Sequence, residues 1–228
     1  MLGAMGAASF AQTVSTSLDA GADRGFEMSG TARILSATHS RDARFYLLTL
    51  GAHQREFILQ LPGQGAYRAV VNGALAQVRQ PRGQLDLPMP GGVEDFCDLL
   101  PQASLLADLA SGQAQSTAAG PVAGLAAAAE RVHVVRTNVT RAGAGGAAMD
   151  IDLDAVTGLP LRIVHITRRG QKVTVTYSHY QQSGGIEYPT HIEKSVDGQL
   201  RLVLDVTRFA SRSGLSAADF FIPAPRRR

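Results

Sequence analysis

Residues 150–166 read DIDLDAVTGLPLRIVHI, residues 172–209 read KVTVTYSHYQQSGGIEYPTHIEKSVDGQLRLVLDVTRF, and residues 214–223 read GLSAADFFIP. Through most of this stretch apolar and polar side chains alternate, the period of a strand with one buried face. Short Gly-containing segments interrupt the alternation: 154–158 (DAVTG), 169–170 (RG), 183–185 (SGG) and 197–198 (DG). Each supplies a residue that tolerates positive φ, as tight hairpins require. Four or five strands joined in this way form an antiparallel meander, not a βαβ array.

Working outward, a second meander is predicted from Phe26. Its strands are FEMSGTARIL, RFYLLTL, REFILQL, YRAVV and ALAQVRQ, separated by turn material at 39–42, 51–53, 62–65 and at Asn72-Gly73. The alternation stops at Pro81. Residues 81–92 form a loop whose three prolines exclude a central strand. Val93, Phe96, Cys97 and Leu100 then recur at helical spacing, and Leu105, Leu106 and Leu109 extend a second apolar helix face. Residues 113–120 read as loop, 124–130 as a short Ala-rich helix or lead-in, and RVHVVRTNV from Arg131 as a strand. The expected fold is therefore mainly β (α+β), one large antiparallel sheet with helices to one side. A sheet of that width coils into a barrel or an open half-barrel.

The order D-x-x-T-G-L-P-x-R, a strand, Y-x-x-Y, a Gly turn, Y-P-x-x-I, a D-G turn, an aliphatic strand and L-x-x-x-x-F resembles the C-terminal half of LolA-like proteins, carriers of outer-membrane lipoproteins. By residue pattern the resemblance covers 150–220, and by element order 26–223. It implies a half-barrel whose concave side is covered by helices, a periplasmic or secreted location, and a lipid or lipoprotein acyl chain as ligand. An envelope receptor or donor protein would load or unload that ligand.

Composition is consistent with one domain of ordinary size, assigned to 26–223. The chain has 228 residues, 45% of them hydrophobic, and no Trp, so aliphatic side chains must fill the core. Part of the +3 net charge sits in the terminal Arg226-Arg227-Arg228 of a basic tail at 224–228. No aromatic-and-basic signature accompanies it, which argues against nucleic acid as a partner. Residues 1–11, MLGAMGAASFA, resemble a truncated signal peptide with small residues before Gln12, and 12–25 read as a linker. No stretch is long and apolar enough to span a bilayer as a helix. The single Cys97 permits no internal disulfide and reads as a buried apolar side chain. A soluble monomer is expected.

Function is sought in the strand faces. Phe45, Leu47 and Thr49 share one face; so do Phe57, Leu59 and Leu61. Val173, Val175, Tyr177 and His179 share another, as do Ile186, Tyr188, Thr190 and Ile192, and as do Leu200, Leu202, Leu204 and Val206. These rows face either a filled core or a lipid cavity. The expected cavity residues are Leu47, Leu59, Val175, Tyr177, Ile192, Leu202 and Leu204, with Phe96 and Leu100 as lid contacts. Asp150, Asp152 and Asp154 share a face that reads as charged and solvated. The six histidines lack metal-site spacing, and no nucleophile elbow is present, so neither a metal, a cofactor nor a catalytic residue is expected. The leading expectation is a non-enzymatic lipid carrier. The competing one is a ligand-free structural or partner-binding envelope protein on the same fold.

Overall fold

The computed structural model describes residues 25–51, 54–72, 75–80, 114–125, 129–136, 148–167 and 170–221. Twelve strands run in chain order: β1 Gly25–Leu35, β2 Ser40–Leu50, β3 Gln54–Leu61, β4 Gly65–Asn72, β5 Leu75–Arg79, β6 Ala114–Val122, β7 Ala129–Arg136, β8 Ala148–Asp154, β9 Pro160–Ile166, β10 Lys172–Ser183, β11 Ile186–Val196 and β12 Gln199–Arg212. They form one antiparallel sheet in the order β5-β4-β3-β2-β1-β12-β11-β10-β9-β8-β7-β6. The two meanders meet where β1 pairs with β12, with Ala32 opposite Leu204 and Met28 opposite Phe209. The sheet is open, since β5 and β6 stand at opposite ends of it.

Local chemistry fixes the hairpins. Gly184 and Gly185 have φ of 59° and 81°, and Asp197 and Gly198 have φ of 51° and 76°. Both central positions of each two-residue turn are thus left-handed, the geometry that matches strand twist. Register shifts at Ser29/Gly30, Ala118/Gly120, Asp152/Leu153 and Lys194/Ser195 add local bends.

One face, here the inner face, carries a contiguous apolar cluster from Met28, Ala32, Phe45 and Leu47 through Phe57 and Leu59 to Ile151, Ile163, Val175, Ile192 and Leu204. The shift near Ser29/Gly30 moves the inward phase of β12, so Phe209 joins this face. There it stacks on Tyr188 at 4.3 Å and on Phe26 at 5.4 Å. Gly30 makes the shift possible: a Cβ there would lie 1.9 Å from the Asp205 carbonyl oxygen. Gly30→Ala must push β1 off β12 and is expected to lower stability by about 1–3 kcal/mol, measured by urea unfolding.

Four sequence expectations change. Most of 113–120, expected as loop, belongs to β6. It is an edge strand, the place where Pro121 costs no ladder hydrogen bond. The turn expected at 39–42 lies earlier, closed by the Ser36 N–H donating to the His39 carbonyl, and β2 already begins at Ser40. His179 leaves the inward row: its φ is 55° and it is exposed. Leu200 also leaves its row, displaced at the Lys194/Ser195 shift and 37% exposed. The helical cover expected between Val93 and Leu109, with Phe96 and Leu100 in it, lies outside the described residues, as do 1–11, 12–24 and 224–228.

The described residues contain one short 3-10 turn, Ala217–Phe220, and it sits against the other face. Beyond β12 the chain packs Leu215 and Phe220 with Tyr46, Leu48, Leu50 and Val70. Asn72 ties it down, its Nδ2 donating to the carbonyls of Ala217 at 3.0 Å and Phe220 at 3.2 Å. No described helix is long and apolar enough to cross a membrane.

Candidate functional site: the inner face

Cross-strand register decides which side chains meet on the inner face. One row runs Val132, Ile151, Ile163, Val175, Lys194, Leu202 and Ile34, each opposite the next on the neighbouring strand. The adjoining row places Tyr177, Ile192, Leu204, Ala32 and Ala43 side by side. Further along, Phe209, Met28, Leu47, Phe57 and Ala69 continue the wall, with Phe45 and Phe57 ring centroids 6.3 Å apart.

Of the residues expected to line a cavity, Leu47, Leu59, Val175, Tyr177, Ile192 and Leu204 belong to this cluster and are 0–3% exposed. Leu202 is half-buried against it. The seven therefore share one face, and in this state six of them are closed to water. Tyr180 packs at the margin, its hydroxyl donating to the Pro160 carbonyl at 2.5 Å. Burial, helped by the charge of Glu187, pushes its phenol well above the ordinary tyrosine range.

Charged groups are sorted between the faces. Lys194, only 6% exposed, sits between Val175 and Leu202 in the apolar row. His165 is buried on the same face between Met149 and Val173, and Arg55 is buried beside Thr49 and Val71. The buried carboxylates Glu27, Glu56 and Asp152 occupy the alternate positions, hence the outer face. Glu27 accepts from Arg212 at 2.6 Å and pairs with Arg208 at 3.2 Å, and Glu56 pairs with Arg68. Asp152, fully buried, lies between two arginines: Arg131 is bidentate at 2.7 and 3.1 Å, and Arg162 donates to Oδ2 at 2.7 Å.

This corrects the reading of Asp150, Asp152 and Asp154 as a solvated face. Asp150 pairs with His133 at 2.8 Å, and Asp154 accepts from the backbone N–H groups of Val156 and Thr157 in the turn. Burial by itself would raise the Asp152 pKa, but the two arginines together hold it below the ordinary value. No sequence pattern announced either the Asp152 clamp or Lys194, because both depend on which strands are neighbours.

The other described histidines are peripheral. His191 bridges Asp205 at 2.6 Å and Glu193 at 3.3 Å on the outer face, with the His179 ring 5.8 Å away. Partial burial opposes its charge, yet the two carboxylates raise its pKa above the usual histidine value. No cluster of three metal-binding side chains occurs among the described residues.

With the geometry in hand, the chain can be set beside known proteins. No protein-family model and no curated protein matches it. Solved structures do. A LolA superfamily protein from Nitrosomonas europaea superposes with a TM-score of 0.68 at 13% identity, over 93% of this chain and 97% of that one. A Vibrio parahaemolyticus domain named for outer-membrane lipoprotein sorting gives 0.64 at 12% identity, covering 92% and 94%. A DUF1329 family protein from Desulfovibrio piger gives 0.65 at 12% identity, covering 94% and 96%. The chain has the fold these proteins share.

Proposed function

We propose that this chain is a periplasmic or secreted carrier that shelters an acyl chain against the inner face of its sheet. The observation that carries the reading is the contiguous apolar cluster that crosses β1 to β3 and β8 to β12. The LolA-type fold supports it, since one similar structure is named for lipoprotein sorting. We read the chain as a carrier and not an enzyme because what the inner face offers across most of its width is apolar contact. An envelope donor or receptor would complete the cycle by competing for the same chain.

The energetics are adequate but conditional. Each methylene moved from water to an apolar wall gains about 0.8 kcal/mol, so ten of them supply about 8 kcal/mol. That corresponds to a Kd of about 1 μM. Because the wall residues are already dry, the acyl chain must displace groups now packed on them, and affinity depends on how little that displacement costs. The half-buried residues Leu202, Ile34 and Val196, which lie together at one end of β1, β11 and β12, are the natural point of entry.

Retention of a fluorescent fatty acid by the purified protein tests the proposal, with binding expected at micromolar concentration. Leu202→Asn puts an amide on the wall at a half-buried position and is expected to weaken retention about tenfold, or about 1.4 kcal/mol, without unfolding the protein. Absence of any retention would instead favour a ligand-free structural or partner-binding envelope protein. The low exposure of the wall is the observation that keeps this second reading in view.

A further inference from the structure

We infer that residues 179–190, the far end of the β10–β11 hairpin, form a flap that lifts from the inner face to make room for the acyl chain. This rests on the carrier reading and names the element that gives way. The first support is that the ribbon stands apart from its neighbours. β9 pairs with β10 from Lys172 to Thr176, and β12 pairs with β11 from Val196 back to His191. Beyond those limits β10 and β11 pair with each other as far as Ser183 and Ile186, and no described strand pairs with them on either outer side. A two-stranded ribbon without such support is at best marginally stable in water. At the same end of the sheet β1 keeps both of its neighbours down to Gly25, so Met28 and Phe209 belong to the fixed part.

The second support is a line of backbone irregularities where the ribbon begins. His179 is skipped in the ladder, between Ser178 opposite His191 and Tyr180 opposite Pro189, and its φ is 55°. Pro189 has no N–H to offer a neighbouring strand. On β12, Thr207 is skipped between the Gly30–Val206 and Ser29–Arg208 pairs. Threonine hydroxyls bond carbonyls along this line: Thr190 Oγ1 donates to His179 at 2.7 Å, and Thr207 Oγ1 donates to Ser29 at 3.3 Å. Bulges are where a paired strand bends, so the line is a hinge. Two tyrosines fasten the ribbon beyond it. Tyr188 lies face to face on Phe209, centroids 4.3 Å and planes 8° apart, and the Tyr180 hydroxyl donates to the Pro160 carbonyl at 2.5 Å. Both rings pack against the inner cluster. An acyl chain that enters at Leu202 and follows β12 reaches Phe209, where it takes the place of the Tyr188 ring.

The test uses the full chain and dansyl-labelled undecanoic acid. Without ligand, ladder amides within 180–188 are expected to exchange about a hundredfold faster than those within 173–177. Equal protection would overturn the flap and leave the carrier reading standing. Tyr188→Ala is expected to bind the probe about threefold to tenfold more tightly, because the ring stack no longer has to be broken. Tyr188→Phe keeps the stack and is expected to bind as wild type does. Unchanged or weaker binding by Tyr188→Ala would overturn the displacement of Tyr188. The hairpin tip lies beside Ser211, whose Oγ is 3.7 Å from where a Cβ on Gly184 would stand. Ser183→Cys and Ser211→Cys on a Cys97→Ser background, joined by a short bismaleimide, therefore lock the ribbon down. The locked protein is expected to bind about tenfold more weakly, and the unjoined variant as wild type does. Undiminished binding by the locked protein would overturn the role of the flap. Binding by none of these proteins would overturn the carrier reading and this inference together.

Discussion

Phe220→Ala is expected to lower the stability of the protein by about 3–5 kcal/mol. Phe220 is fully buried, yet it belongs to a four-residue 3-10 turn that cannot hold itself together. Its ring is what fastens the segment after β12 to Leu48, Leu50 and Val70. Removing it leaves a cavity under the turn and takes packing from all three partners. The hydrogen bonds from Asn72 to Ala217 and Phe220 are too few to retain the segment, each contributing about 1 kcal/mol. The loss is limited by the free energy of docking the segment, because the turn can lift away while the sheet survives. Two measurements separate the routes: urea midpoints give the size of the loss, and amide exchange on β2 and β4 reports whether it is local. Unchanged protection at Leu48 and Val70 would show that Phe220 does not hold the segment down.

The sequence contained the signal for this second cluster. Residues 45–50 read FYLLTL, a run apolar at consecutive positions, which marks a strand buried on both faces. Reading it as simple alternation placed Phe45, Leu47 and Thr49 correctly but left Tyr46, Leu48 and Leu50 without a partner. The strands with clean alternation and Gly turns were legible, and so were the hairpins they imply. β6 was not, because AQSTAAGPV carries no apolar period, and an edge strand with one ladder needs none. Departures within strands were equally hidden. The positive φ of His179 and the register shift beside Ser195 change the phase of a row through backbone geometry alone.

What most escaped the sequence is pairing across strands. Arg131, Asp152 and Arg162 lie in three segments, and only the register of β7, β8 and β9 brings them together. The same holds for Lys194, whose placement in an apolar row follows from its neighbours Val175 and Leu202. The wall residues were found because their signal is local periodicity; the charged ones were missed because theirs is topology.

The Asp152 clamp supplies the second large effect. Asp152→Ala is expected to cost about 3 kcal/mol, near the lower end of the range for breaking a buried ion pair. The lower end applies because Arg131 and Arg162 keep roughly a third of their side chains in water and can resolvate once released. The cost comes from a void in the outer face and from two guanidinium groups left facing each other across β8. Asp152→Asn keeps the shape and one acceptor and is expected to lose less, because only the charge-assisted part of the hydrogen bonds disappears. The pH dependence provides an independent check. The folded pKa of Asp152 is depressed, so its contribution is fully present above the unfolded value of about 3.9 and is lost as pH falls through the folded pKa. Wild-type stability is therefore expected to fall below about pH 4 more steeply than that of Asp152→Asn, which has no proton to take up at this site. Parallel acid limbs in the two proteins would mean that the arginines hold Asp152 by geometry and not by charge.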